Sequence, residues 1–122
     1  MEQVEAIVRE QCADLLAGGR LRVVDARTGD HGIPQCTVAT DRFRLLTWIY
    51  HGELDGTLRP AWPDAEPLDL RWTLRHLGAD WGETWNREGI MAAFAEHVDR
   101  IDAEAADPVR WDAFRAAAHP RA

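Results

Sequence analysis

Three side chains able to bind a metal ion or transfer a proton occur at alternate positions in His51-Gly-Glu53-Leu-Asp55. On a strand, residues two apart lie on one face, so the imidazole and both carboxylates would point the same way. Same-face neighbours are about 6.6–7 Å apart, too far for all three to reach one ion unless the backbone bends. The spacing matches no established zinc motif. We therefore interpret the stretch as an exposed strand end with a turn at Asp55-Gly56, and keep a metal site as the alternative.

A second candidate for such chemistry is His31, which lies between Asp30 and Gly32 in the turn-forming stretch TGDHGIP. A small metal-dependent or acid/base enzyme would combine Asp30 and His31 with the histidine and carboxylates of residues 51–55. The sequence leaves open whether these two segments meet in space.

The chain contains neither lysine nor serine, and Asn86 and Tyr50 are the single representatives of their types. These absences exclude Schiff-base lysine chemistry, the P-loop lysine and serine nucleophiles. Arginine supplies all of the basic side-chain charge, which is typical of a GC-rich bacterial genome. The remaining inventory favours a protein without catalytic activity, and no cofactor is predicted.

Composition and cysteine usage predict one domain in the cytoplasm. The 122 residues are enough to bury a core, and no apolar run approaches the roughly 20 residues of a membrane helix. The opening MEQVEAIVRE is charged and amphipathic, unlike a signal peptide. Cys12 and Cys36 lack CxxC spacing, and Cys12 falls within an apolar helical stripe, so both are predicted to be reduced, slowly reacting thiols.

The pattern of apolar residues predicts an α+β fold: an N-terminal helix, a roughly four-stranded, mainly antiparallel sheet, and two C-terminal helices packed on one face. Gly18-Gly19 ends the first helix, Asn86 or Thr84 caps the next, and Asp107-Pro108 starts the last. The apolar stripe of that last helix contains Trp111, Phe114 and Ala118. The predicted strands are 21–27, 36–40, 43–50 and 68–75. Helix remains the alternative for 43–50, whereas 68–75 shows the clearest strand alternation, with Trp72 on its core face.

Tryptophans in two connections are the candidate partner-binding surface. The segment RPAWPDAEP carries Trp62, and we expect it at the edge of the core or presented to a partner. Two tryptophans in GADWGETW pose the same question, and acidic residues near all three would attract a basic protein. The predicted set is Trp62, Asp64, Asp80, Trp81, Glu83 and Trp85.

Three function classes follow. The first is an acidic, non-catalytic protein-binding module, such as an immunity protein, adaptor or chaperone, which could also form a homo-oligomer. The second is the small enzyme described above. The third is an anion or RNA binder that uses strand arginines, although a net charge of −7 makes nucleic acid an improbable partner. We rank the first class highest; the arginines of the third are Arg20, Arg22, Arg42, Arg44, Arg71 and Arg75.

Overall fold

The computed structural model describes residues 3–79 and 86–120, and it confirms the α+β class. Five antiparallel strands, one more than predicted, form a meander in the order β1-β2-β3-β4-β5. The elements are α1 (Gln3–Gln11), α2 (Ala13–Ala17), β1 (Arg22–Thr28), β2 (Pro34–Ala39), β3 (Phe43–Tyr50), β4 (Glu53–Pro60), β5 (Leu68–Asp69), α3 (Leu70–His76), α4 (Arg87–Glu104) and α5 (Pro108–Ala118). No described helix is long and apolar enough to cross a membrane.

One side of the sheet, here called the covered face, packs against the helices and forms the core. Its buried side chains pack against α1, α3 and α4, and α5 packs on α3 and α4. Phe43, for example, meets Phe94 of α4 edge to face, with ring centroids 6.2 Å apart. The covered face is formed by Cys36, Val38, Phe43, Leu45, Ile49, Leu54 and Leu58.

The ends of the helices follow local sequence signals as predicted. Asn86 caps α4 through a bond from the Gly89 amide (2.7 Å), and Asp107 caps α5 with Pro108 as the first helical residue. Both caps satisfy amides that lack a partner within the helix. The N-terminal helix is divided at Cys12 into α1 and α2, and Gly18 caps the second piece. The last helix buries its predicted stripe of Trp111, Phe114 and Ala118.

Both cysteines are buried and free, as predicted. Burial is the main cause that raises the pKa of each thiol to about 11. At neutral pH the reactive thiolate is therefore a very small fraction of either residue.

The segment 43–50 is the strand β3, as predicted, and it turns into β4 through His51 and Gly52. Both turn residues have positive φ, 51° and 77°, as a two-residue type I′ hairpin requires. The predicted turn at Asp55-Gly56 is wrong, because these residues lie inside β4, where Gly56 pairs with Thr47. A Cβ on Gly56 would lie 2.9 Å from the Leu46 carbonyl oxygen. The close approach of two backbones explains this glycine.

The strand predicted at 68–75 is wrong beyond its second residue. After the two-residue strand β5 the chain forms α3, and the Asp69 side chain accepts a bond from the Trp72 amide (3.0 Å) as its N-cap. Leu70, Thr73 and Leu74 are buried at the spacing of one helical face. Trp72, predicted on the core face of a strand, packs half-buried against the core from this helix.

Candidate protein-interaction surface

The side of β1–β4 opposite the core, here called the open face, carries the side chains that alternate with buried ones. On β3 the alternation is strict from Phe43 to Tyr50. None of the described helices buries the outward side chains of Leu46 and Tyr50, which remain 37% and 53% exposed. A sheet with one solvated face normally shows polar residues there. This open face is instead apolar along its central strand, where Leu46, the half-buried Trp48 and Tyr50 follow one another.

Strand register arranges the open face in rows that cross the sheet. The first row lies at the end where β3 begins, and the fourth lies beside the β3–β4 turn. The first row is Arg22, Ala39, Arg44 and Arg59; the second is Asp25, Thr37, Leu46 and Thr57; the third is Arg27, Gln35, Trp48 and Asp55; the fourth is Tyr50 and Glu53.

The first row concentrates positive charge. Arg44 and Arg59 are directly opposite across β3 and β4, an arrangement of like charges that destabilises a sheet. Arg59 donates a hydrogen bond to the Ala65 carbonyl oxygen (2.7 Å), and Arg22 pairs with Asp41 (3.2 Å). Within the described residues, no hydrogen bond or ion pair holds Arg44. One guanidinium of the row is therefore available to a partner.

The third and fourth rows hold a small acidic and aromatic pocket of about 170 Å³, lined by Trp48, Tyr50, Glu53, Asp55 and Arg71. Arg71 reaches in from α3, donates to the Leu54 carbonyl oxygen (2.8 Å) and lies 3.7 Å from the Glu53 carboxylate. Burial raises the pKa of Asp55, although a bond from the Gly56 amide (2.7 Å) opposes the shift. The carboxylate is thus poorly solvated on a face that is otherwise accessible.

The residues of the metal or acid/base hypothesis do not form a cluster. His31 and His51 are both exposed and lie in connections at the same end of the sheet. The His51 ring packs on Tyr50, with centroids 4.0 Å apart. The described part of the chain contains no group of three histidine, cysteine or acidic residues able to hold a metal ion. The side chain of Asp30 lies outside the described residues.

The arginines of the anion hypothesis do not form one cluster, although Arg22 and Arg44 share the first row and Arg71 reaches the pocket of the open face. Arg20, Arg22 and Arg42 line a polar groove of about 330 Å³, where they pair with Asp99, Asp41 and Asp102 respectively. Arg44 lies on the open face. Arg71 and Arg75 belong to α3, so their prediction as strand residues is wrong.

The predicted partner-binding tryptophan Trp62 packs half-buried against the core. Three side chains hold the segment that follows Trp62 through hydrogen bonds to its backbone carbonyl oxygens. Arg59 donates to Ala65, Trp111 donates to Glu66 (2.8 Å), and Arg115 donates to Pro67 (3.1 Å). Trp62 therefore lies at the edge of the core, while Asp64 is exposed. Asp80, Trp81, Glu83 and Trp85 lie outside the described residues, and the binding role of the whole set stays a prediction.

The sequence interpretation missed the apolar strip on the open face. The signal was present in FRLLTWIY, in which both alternating sets contain large apolar residues. Such a strand is expected to be covered on both sides. Among residues 3–79 and 86–120, the helices cover one side of this strand only. Comparison with protein-family models, curated proteins and solved structures finds no match to this chain.

Proposed function

We propose that the protein is a non-catalytic protein-binding module and that the open face of its sheet is the docking surface. The observation that carries the proposal is the strip formed by Leu46, Trp48 and Tyr50, which lies on a face without a helix over it in the described structure. Contiguous exposed apolar residues surrounded by polar ones are typical of protein interfaces. Tryptophan, tyrosine and arginine are also the residue types that most often dominate binding energy.

The arrangement of charge supports the same proposal. Along β3 and β4, arginines are at one end of the open face, and acidic and aromatic groups are at the other, where Arg71 of α3 lies 3.7 Å from Glu53. Such segregation fixes the orientation of a docking protein and penalises wrong partners. The four rows contain four arginines and three carboxylates, so most of the net charge of −7 lies elsewhere on the molecule. The open face therefore gives no support for a strongly basic partner, and the acidic segment around Trp62 and Asp64 stays the surface proposed for one.

Site-specific photo-crosslinking in the native host tests this function. With p-benzoylphenylalanine at Tyr50, we expect an adduct of defined mass, because this position is exposed beside the apolar strip. The same probe at Val109, which is 80% exposed on α5, is the matched control and should give none. Introducing Leu46→Glu should abolish the Tyr50 adduct while circular dichroism shows an unchanged melting temperature. Equal adducts at both positions, or none at Tyr50, would count against the open face.

The first row of arginines favours a second candidate, an anion-binding site. Arg22, Arg44 and Arg59 lie in one row across the sheet, although two of them already have partners. The carboxylates of Asp25, Glu53 and Asp55 on the same face would repel a long polyanion. Retention on a polyanion column at physiological salt, lost in Arg44→Ala, would favour this candidate over the first.

A further inference from the structure

On the open face, the first row matches the fourth row in charge, and the second row matches the third in charge and apolar character. Two identical faces can pack against each other only through a two-fold axis that lies between them, because the axis must turn one face over. An axis across the strands reverses the strand direction. It brings the first row of one copy over the fourth row of the other, and the second over the third.

We infer that a second copy of this chain is the occupant of the open face, packed about a two-fold axis that crosses the strands between Leu46 and Trp48. The inference rests on the proposed function, since it uses the same docking surface and names the partner. The open face is also closer to charge balance than a strongly basic or acidic partner would require.

The second and third rows form the centre of this dimer. Leu46 of each copy faces Trp48 of the other, so the two most central apolar side chains cover each other twice. On β1, Asp25 of one copy faces Arg27 of the other. On β4, Thr57 faces Asp55, and its hydroxyl can donate to this carboxylate, which among the described residues accepts a hydrogen bond from the Gly56 amide.

The first and fourth rows form the two ends. Arg59 of one copy lies over Glu53 of the other, and Arg44 lies over Tyr50, whose cross-strand neighbour is that same glutamate. A guanidinium over a tyrosine ring is a favourable cation–π contact. The other possible axis, parallel to the strands, would place the arginines of the first row on each other. Charge repulsion therefore selects the axis that crosses the strands.

The size of the face limits the expected affinity. Four strands spaced about 4.8 Å apart, with roughly 23 Å of outward residues along each, give a projected area of about 450 Å² per copy. The pair then buries about 900 Å² or somewhat more, at the low end for specific interfaces. We therefore expect a dissociation constant in the micromolar range.

Sedimentation equilibrium between about 1 and 200 μM tests the inference, since that range spans micromolar dissociation constants. The wild-type chain should pass from monomer to dimer. Arg44→Glu places a glutamate beside Glu53 of the other copy, and Glu53→Arg places an arginine beside Arg44. Each variant alone should raise the dissociation constant at least tenfold. Arg9→Glu, which makes the same charge change on α1, is the control and should leave the constant unchanged.

Exchanging the charges of the two directly facing residues tests the geometry. In a dimer of one Arg59→Glu chain and one Glu53→Arg chain, each end has an opposite charge pair directly across the interface, so a 1:1 mixture should approach the wild-type constant while each variant alone binds at least tenfold more weakly. Melting curves check that Arg59→Glu, which loses its bond to the Ala65 carbonyl, still folds. A wild-type chain that stays monomeric, a dimer indifferent to both substitutions, or a mixture without recovery would each overturn the inference. A monomeric chain that still gives a Tyr50 adduct with another protein would leave the proposed function standing.

Discussion

The covered and open faces of the sheet are made by the same strands, and β3 shows the difference between them most directly. Leu45 is completely buried, whereas its neighbour Leu46 is 37% exposed. Phe43 packs on Phe94 in the core, whereas Arg44 has no hydrogen bond or ion pair within the described residues. Apolar composition therefore does not separate the face that stabilises the fold from the face available to a partner. The position of the helices separates them.

The two leucines of β3 provide the strongest test of this comparison. Leu45→Ala should lower the free energy of unfolding by about 2–5 kcal/mol, because it leaves a cavity among core side chains. Leu46→Ala should cost less than about 1 kcal/mol, since water already reaches this side chain. Urea denaturation of both variants measures the difference. Equal losses would mean that the open face is part of the stabilising core.

Two tryptophans make a second, smaller contrast. In Trp111→Phe, a fully buried side chain becomes smaller and its part-buried hydrogen bond to the Glu66 carbonyl oxygen is lost, which should cost about 1–3 kcal/mol in unfolding free energy. Trp48→Phe, on the open face, should change stability by less than about 1 kcal/mol. Denaturant midpoints give both values. A larger loss for Trp48 would place that ring among the residues that hold the fold together.

The smallest expected effect is a pH-dependent change in melting temperature when Asp55 is replaced. Burial raises its pKa in the folded chain, so the ionised carboxylate destabilises the fold once the pH exceeds that of an unfolded aspartate, about 4. Asp55→Asn keeps an oxygen for the Gly56 amide and should raise the melting temperature at pH 7. The gain should fade as the pH is lowered through the folded and then the unfolded pKa. The exposed control Asp64→Asn should show no such pH-dependent gain.

Local signals predicted much of the fold. The caps at Asn86 and Asp107 mark the starts of α4 and α5, and Pro108 follows the second cap. Each cap side chain bonds to a backbone amide three residues further on, so the signal is local in sequence. The enrichment of 43–50 in Thr, Trp, Ile and Tyr predicted β3, because β-branched and aromatic side chains favour an extended strand. Cys12 is also buried, as its place in an apolar helical stripe indicated, and the slow reactivity of both thiols stays a prediction.

Two segments could not be assigned in this way. In LDLRWTLR, the leucines fit a strand by alternation and a helix by the spacing of Leu70 and Leu74. The Asp69 cap is a local helix signal that the alternation of leucines concealed, whereas the burial of Thr73 depends on the packing of α3 against the rest of the fold. In ELDGTLRP, the Asp55-Gly56 pair resembled a turn, because the sequence does not show that a neighbouring backbone lies against that glycine.

The sequence by itself determined the residue inventory, the caps of the last two helices and the strand-forming residue types of 43–50, all of which are local properties of the chain. Only the tertiary structure determines which side chains share the open face and which of them stay exposed. Arg22, Arg44 and Arg59 are far apart in sequence, and only the register of three strand pairs places them in one row. Exposure of Leu46 and Tyr50 depends likewise on the helices packing on the other side of the sheet. Strand pairing and the packing of helices on a sheet are contacts between residues far apart in sequence. Local sequence patterns are compatible with several such arrangements, and the folded chain adopts one of them.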